Sequence, residues 1–234
     1  AVTDAFDLIF GVHKGFSAPS SDPSTAEEES TNWEAGIRYA GNGIALEVIG
    51  FVNDFDNLVG VCTASSGTGC DVGEVFRGDA ARASGIESTL AADWSPNNGI
   101  GLPLKATWTY THSEFRSDLA DSNFFGDVSK GDPIPYIPDN QLYIEQGVLW
   151  QRWAGYLSLT HVGESCAFAS CGQFEQTDSL TMIDASVHFD LTPRIQLYGI
   201  AKNLTDEDGI AGRQPRGARP NLDRTFISGI RIQL

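Results

Sequence analysis

The segment WEAGIRYAGNGIALEVIGFV, residues 33–52, decides the fold class of this chain. Within residues 33–39 and again within residues 44–52, every second side chain is apolar or is a glycine. Such a period of two is typical of β-strands, whose side chains alternate between two faces. Between the two runs lie only the turn residues 41–43, Gly-Asn-Gly, and Asn-Gly is the strongest short signal for a hairpin. The segment therefore predicts two antiparallel strands joined by a tight turn.

The same period of two recurs along nearly the whole chain of 234 residues. Glycine is frequent, aromatic residues make up 10% of the sequence, and this composition suits strands and turns better than helices. The sequence therefore predicts an all-β protein. The ten predicted strands are residues 6–13, 33–39, 44–52, 85–94, 104–111, 141–150, 153–161, 183–191, 195–203 and 224–234.

Long and short connections alternate between these strands without exception. The short connections are residues 41–43, 95–101, 151–152 and 192–194, and the long ones are residues 15–31, 55–75, 116–138, 163–178 and 205–221. Transmembrane β-barrels have this arrangement, with short periplasmic turns and long extracellular loops. Strands of about 9–11 residues are long enough to cross a bilayer at a tilt. The sequence therefore predicts a transmembrane antiparallel β-barrel.

Composition excludes several other classes of protein. The chain has 15 basic and 31 acidic residues and a net charge of −16, which disfavours nucleic-acid binding. A hydrophobic fraction of 41% is too high for a disordered chain. No apolar run of about 18 residues predicts a membrane-spanning helix. The four histidines fall on different strands, and no catalytic or metal-binding motif is present, so we expect no enzyme activity, metal site or cofactor.

The face of the strands opposite the apolar residues is polar, and we expect it to line the lumen of the barrel. Its charged residues are of mixed sign, which is typical of structural ion pairs or of contacts with a plug. They are Glu34, Arg38, Glu47, Glu87, Asp93, Lys105, Asp184, His188 and Arg231.

The four cysteines occur as two pairs that are close in sequence. Cys62 is near Cys70, and Cys166 is near Cys171. Neither pair has the spacing of a zinc site. The spacing predicts two local disulfides formed in an oxidising compartment, and four reduced, buried thiols are the alternative.

Several motifs, in chain order, resemble those of TonB-dependent outer-membrane receptors. The final motif is similar to that of the ferric-citrate receptor branch. The motifs are GVHKGFSAP (residues 11–19), STNWEAGIRY (30–39), GFVNDFDNL (50–58), DSLTMIDAS (178–186), NLTDE (203–207) and RQPRGARP (213–220). The resemblance extends over nearly the whole chain.

The resemblance implies a location in the bacterial outer membrane and a barrel of 22 strands, of which this chain supplies ten. Residues 1–234 would form the C-terminal part of that barrel, without the plug domain. The implied function is uptake of a ferric chelate, iron(III) dicitrate above all, which binds in the extracellular loops. Energy would come from the TonB complex through the absent plug. The alternatives are a receptor for another siderophore, for cobalamin or for a sugar, and a self-contained ten-stranded barrel.

The candidate ligand-binding residues lie in the last long loop. The five long loops hold seventeen acidic and five basic side chains, and three of the five are Arg213, Arg216 and Arg219. Guanidinium groups bind carboxylates in a bidentate manner and stay charged at any working pH. We therefore expect this cluster to bind an anionic chelate, with Asn221 and Gln233 as weaker candidates. The alternatives are pairing with nearby acids such as Asp206, Glu207, Asp208 or Asp223, and contact with lipopolysaccharide phosphates beside the membrane lipid.

Overall fold

The structure is a computed structural model and describes residues 5–17, 27–62, 71–77, 80–96, 99–122, 125–214 and 217–233. No helix among these residues is long and apolar enough to span a membrane. The strands, in chain order, are β1 (Phe6–Ser17), β2 (Glu28–Gly41), β3 (Ile44–Asp56), β4 (Val59–Val61), β5 (Val75–Arg77), β6 (Ala81–Trp94), β7 (Ile100–Phe115), β8 (Leu119–Ser122), β9 (Gly126–Val128), β10 (Asn140–Trp150), β11 (Trp153–Val162), β12 (Leu180–Thr192), β13 (Ile195–Lys202), β14 (Ile210–Gly212), β15 (Arg219–Pro220) and β16 (Thr225–Ile232).

The ten long strands form one antiparallel sheet, as the sequence predicted. Its order is β1-β2-β3-β6-β7-β10-β11-β12-β13-β16, so each long strand pairs with the next long strand along the chain. The edges of the sheet are β1 and β16, and these two strands do not pair with each other in the described part of the chain. Three two-stranded sheets lie in the long connections, formed by β4 with β5, β8 with β9, and β14 with β15.

Eight of the ten long strands extend further toward the long connections than the sequence predicted, whereas β13 and β16 are one residue shorter there. β1 continues to Ser17 rather than ending at residue 13, and β2 begins at Glu28 rather than at residue 33. Ser17 pairs with Glu28 at the end of this ladder. Polar residues such as Glu28 and Glu29 occupy both faces here, so the period of two is lost although the backbone ladder continues.

One face of the sheet is a broad exposed apolar surface. Phe10, for example, is 75% exposed. On β7 this surface runs from Leu102 to Tyr110, about 27 Å at 3.4 Å per residue, close to the band of about 25 Å that faces lipid in outer-membrane barrels. Its exposed members include Leu8, Phe10, Val12, Trp33, Ile37, Ile86, Trp94, Trp108, Tyr110, Ile144, Val148, Trp150, Trp153, Leu157, Val187, Leu197, Phe226, Ile230 and Ile232.

Charged residues mark the end of this apolar face near the long connections. The Arg82 guanidinium donates two hydrogen bonds to the Asp54 carboxylate, at 2.6 and 3.0 Å. Arg82 lies opposite Glu114 on β7, and Glu114 accepts a hydrogen bond from Arg116 at 3.0 Å. Charges of this kind are too costly for the hydrocarbon region of a membrane, so these residues mark the limit of the apolar face on the side of the long connections.

The other face of the sheet is polar. The strand register places all nine of the predicted lumen residues on this face, opposite the apolar side chains. Arg38 and Glu47 face each other across β2 and β3, and the Arg38 Nε donates to the Glu47 carboxylate at 2.6 Å. The alternation between an apolar and a polar face therefore holds across the whole sheet.

Gly85 supplies a sharp test of the packing between β6 and β7. A Cβ at this position would lie 1.9 Å from the carbonyl oxygen of Tyr110, so even alanine would force the two strands apart. We expect Gly85→Ala to lower the free energy of unfolding by about 1–3 kcal/mol. Thermal unfolding of the protein in detergent, followed by circular dichroism, measures this loss.

The matched control is Gly50→Ala on the neighbouring strand β3. A Cβ there would meet its nearest heavy atom, the carbonyl oxygen of Ala35, at an ordinary 3.7 Å. We expect this variant to unfold at the temperature of the parent. Equal unfolding temperatures for Gly85→Ala and Gly50→Ala would contradict the packing described for β6 and β7.

Candidate functional site

The buried core of the described residues lies at the end of the sheet where the long connections meet. Its members are Ala81, Phe115, Phe125, Val128 and Ala169. The rings of Phe115 and Phe125 pack edge to face with centroids 5.3 Å apart, a favourable geometry for aromatic pairs. Two of these residues belong to long strands and three to the connections, so the core attaches the connections to the sheet.

A short segment, residues 166–176, lies beside this core, and because it carries a disulfide it is here called the disulfide hairpin. Cys166 and Cys171 are joined by the predicted disulfide. Cys166 also forms an isolated antiparallel bridge with Gln176. The disulfide closes residues 166–171, and the backbone bridge joins the two ends of the hairpin.

The turn at the tip of the disulfide hairpin is held by its own hydrogen bonds. The Glu175 carboxylate accepts a bond from the backbone N–H of Gly172 at 2.8 Å, and the Glu175 N–H donates to the Gly172 carbonyl at 2.8 Å. The Glu175 carbonyl accepts from the N–H of Ala167, which is fully buried. These bonds leave the tip residues few alternative conformations.

The other predicted disulfide is described at one end only. Cys62 is buried and disulfide-bonded. Cys70, its predicted partner, lies outside the described residues. The pairing of Cys62 with Cys70 therefore stays a prediction.

The connection of residues 116–138 packs against the disulfide hairpin through its backbone. The N–H of Ala169 donates to the Phe125 carbonyl at 2.9 Å, and the N–H of Tyr136 donates to the Cys166 carbonyl at 2.8 Å. Backbone bonds of this kind fix the relative position of two segments more firmly than contacts between exposed side chains do.

The last long connection reaches the same hairpin from the other side. The Arg213 Nε donates to the Gln176 carbonyl at 2.8 Å, and the Gln214 amide donates to the Ala167 carbonyl at 3.5 Å. The backbone N–H of Arg213 donates to the hydroxyl oxygen of Tyr136 at 3.0 Å. Arg213 therefore contacts the two other connections at once.

These contacts join the described residues of the segments 116–138, 163–178 and 203–221 into one packed unit, here called the loop body. The disulfide hairpin lies between the other two segments, and the aromatic core described above fixes it to the sheet. A surface built on such a body is preorganised, because little loop ordering is left to occur when a ligand binds.

Asn203 organises the last segment of the loop body from inside. It is 2% exposed and adopts a left-handed backbone conformation with φ of 51°. Its side-chain amide donates to the carbonyls of Glu207 and Leu222, and its side-chain oxygen accepts from the N–H of Glu207. The NLTDE motif therefore has a structural role in shaping this loop.

The four predicted ligand-binding residues have different environments. Arg213 lies against the disulfide hairpin as described, and Arg219 is exposed on β15. Asn221 is held within the loop, where its side-chain oxygen accepts from the N–H of Gly209 at 3.0 Å. Arg216 lies outside the described residues. The structure thus places Arg213 on the loop body surface and gives Asn221 bonds that shape the loop itself.

One of the acidic residues expected as alternative partners of these arginines binds elsewhere. Asp206 forms an ion pair with Arg224, which the sequence reasoning did not single out. Among the described residues, neither Arg213 nor Arg219 forms an ion pair with a carboxylate. No group of three or more His, Cys, Asp or Glu side chains in the described ranges is placed to hold a metal ion.

Sequence reasoning missed two aromatic residues of the loop body, Tyr136 and Phe174. Tyr136 lies in a proline-rich segment, residues 133–138, that has no strand periodicity. Phe174 is a single aromatic residue among polar neighbours. Phe174 lies three residues after Cys171, outside the segment that the disulfide closes, so no local signal marks it.

The family model described as "TonB dependent receptor-like, beta-barrel" matches residues 1–204 of this chain. That range includes nine of the ten long strands and most of the loop body.

Solved structures of three receptors and transporters have the same fold. The ferric yersiniabactin uptake receptor FyuA from Yersinia pestis matches with a TM-score of 0.73 and 19% identity, over 99% of this chain and 35% of FyuA. The siderophore receptor PiuA from Acinetobacter baumannii matches with a TM-score of 0.78 and 13% identity, over 98% and 34%. The ferric citrate transporter FecA matches with a TM-score of 0.75 and 19% identity, over 99% and 36%. The chain thus spans about a third of the length of these structures.

The central position of the disulfide hairpin gives a testable expectation. Replacing both Cys166 and Cys171 by serine removes the cross-link, which is worth about 2 kcal/mol at the low end typical of short loops. We expect faster hydrogen exchange at the amides of Ala167 and Ala169, which bond across the hairpin and to the core. Amides in the middle of β7 serve as the internal control and should exchange at the parent rate. Unchanged exchange at both alanines would show that the disulfide does not hold the loop body together.

Proposed function

The chain belongs to the TonB-dependent receptor β-barrel family, and on that premise we propose that it supplies the cargo-binding loops of an outer-membrane receptor that imports an anionic ferric chelate. Proteins of this family lie in the bacterial outer membrane and are receptors and transporters rather than enzymes. The apolar band on one face of the sheet and the polar lining on the other agree with that location.

The observation that supports an anionic cargo most directly is the position of Arg213. The long connections hold seventeen acidic residues and five basic ones, so most of this surface repels anions. Arg213 is fixed on the loop body by the Gln176 carbonyl and the Tyr136 hydroxyl, and it forms no ion pair with a described carboxylate. A fixed guanidinium in an acidic surrounding is where a carboxylate-bearing chelate can bind.

Iron(III) dicitrate is the cargo we propose first. The RQPRGARP motif of residues 213–220 is similar to that of the ferric-citrate receptor branch, and citrate presents carboxylates that guanidinium groups bind in a bidentate manner. One structural neighbour is a ferric citrate transporter, whereas another takes up ferric yersiniabactin. A different siderophore or nutrient is therefore the alternative cargo.

We further propose that this chain supplies ten strands of a 22-stranded barrel with a plugged lumen. The edge strands β1 and β16 do not pair with each other in the described part of the chain, which argues against a self-contained ten-stranded barrel. Lipid cannot satisfy the backbone groups of an open edge, so other strands must cover both edges. Energy for uptake would come from the TonB complex acting on a plug domain.

Substitution of the loop arginines tests the proposed cargo site. We expect Arg213→Ala, Arg216→Ala and Arg219→Ala, combined in the full-length receptor, to weaken binding of ferric citrate more than about tenfold. The reason is that each lost hydrogen bond to a charged group is worth about 1.5–3 kcal/mol. Titration of the purified receptor with ferric citrate, at fixed salt, gives the Kd.

Arg194→Ala is the matched control for these variants. Arg194 is an exposed arginine at the opposite end of the sheet, in the tight turn between β12 and β13. Its loss should leave the Kd unchanged. A triple variant that inserts normally and binds ferric citrate as tightly as the parent would refute the arginine site.

A further inference from the structure

Phe174 is the most exposed large hydrophobic residue among those described, at 82%. The exposed apolar residues of the sheet face lipid, but Phe174 lies at the tip of the disulfide hairpin, among exposed polar neighbours. Burying a phenylalanine side chain is favourable relative to exposing it to water. An aromatic ring displayed in this way is therefore a ready contact surface for a ligand.

The ring is also displayed by a segment with little freedom to collapse. The bridge between Cys166 and Gln176 joins the ends of the hairpin, and the disulfide closes residues 166–171, just before the turn that contains Phe174. The Glu175 carboxylate accepts from the N–H of Gly172, which fixes the turn that contains Phe174. An aromatic residue on a fixed turn loses little conformational entropy when it contacts a ligand.

Tyr136 presents a second aromatic ring beside the same hairpin. Its φ of 60° is a left-handed conformation that bulky residues rarely adopt. The bond from its N–H to the Cys166 carbonyl and the bond that its hydroxyl accepts from Arg213 both maintain this conformation. Tyr136 as a whole residue is 38% exposed. Backbone strain held by surrounding contacts is typical of ligand-binding sites.

Arg213 brings a positive charge to the same place. Its Nε binds the carbonyl of Gln176, two residues along the chain from Phe174. Its backbone N–H binds the hydroxyl of Tyr136. Each of the three segments of the loop body thus supplies one of these side chains: Tyr136, Phe174 and Arg213.

We propose that Tyr136, Phe174 and Arg213 form one recognition site, here called the three-loop site, for the anionic ferric chelate. The inference rests on the proposed function and deepens it. The two rings pack against the carbon skeleton of the chelate, while the Arg213 guanidinium binds its carboxylates. Rigid aromatic residues with arginine are the side chains that contribute most to binding in recognition surfaces. The long connections carry seventeen acidic and five basic residues, so an anion that Arg213 does not bind is repelled.

The test measures the Kd of the purified full-length receptor for ferric dicitrate. Phe174→Ala should raise the Kd about tenfold or more, because one ring no longer contacts the cargo. Tyr136→Phe retains the ring and removes the acceptor of the Arg213 N–H, and it should raise the Kd by a smaller factor. Val72→Ala is the matched control, since Val72 is an equally exposed apolar residue at 74% in another connection, and its Kd should equal that of the parent.

A reporter variant gives an independent readout. In Phe174→Trp the aromatic contact is kept, and bound iron should quench the emission of the new tryptophan with the Kd of the parent. Saturable quenching with the Kd of the parent supports the three-loop site. If the chelate binds but the emission does not change, the three-loop site is wrong.

The outcomes also separate this inference from the proposed function. If the parent binds ferric dicitrate and Phe174→Ala binds it equally well, the three-loop site is wrong and the proposed function stands. If the parent binds neither ferric dicitrate nor a panel of other ferric chelates, both are wrong. Each variant that binds the chelate more weakly is also treated with trypsin as the intact receptor. Resistance to cleavage equal to that of the parent shows that the variant has kept its loop body.

Discussion

The hydrogen-bond ladder of the ten-stranded sheet is the constraint on which the rest of the structure depends. Within hydrocarbon there is no water to satisfy a backbone N–H or C=O, so every strand must be paired along its length. Ladder pairing then fixes which side chains share a face, because a shift of one residue would exchange the two faces. One apolar face and one polar face, maintained from β1 to β16, are the direct result.

A single sheet with lipid on one side has no interior in which to bury a core. The core lies instead at one end, where Phe115 from the sheet meets Phe125 and Ala169 from the connections. This position connects stability to function, since the residues that anchor the loops also fix the disulfide hairpin. Arg213, Tyr136 and Phe174 owe their positions to that hairpin and not to the strands that precede them.

How much the sequence predicts depends on whether a residue's neighbours are local or distant. The hairpin of residues 33–52 and the lumen position of Arg38 follow from a period of two, which is a local signal. The first residues of β2 cannot be predicted in this way, because Glu28 and Glu29 leave no apolar face to detect. The loop body cannot be predicted from a local pattern either, since the bond between Arg213 and Gln176 joins residues far apart in sequence. The left-handed conformation of Tyr136 likewise depends on Cys166, a contact that no local pattern reveals.

The central claim is that alternate residues of each long strand face lipid and lumen. Spin labels placed one at a time from residue 105 to residue 110 on β7, in the full-length receptor in bilayers, test it most directly. Collision with oxygen should be greatest at residues 106, 108 and 110, which lie on the apolar face. Collision with a water-soluble nickel complex should be greatest at residues 105, 107 and 109. An accessibility profile without this period of two would contradict the account.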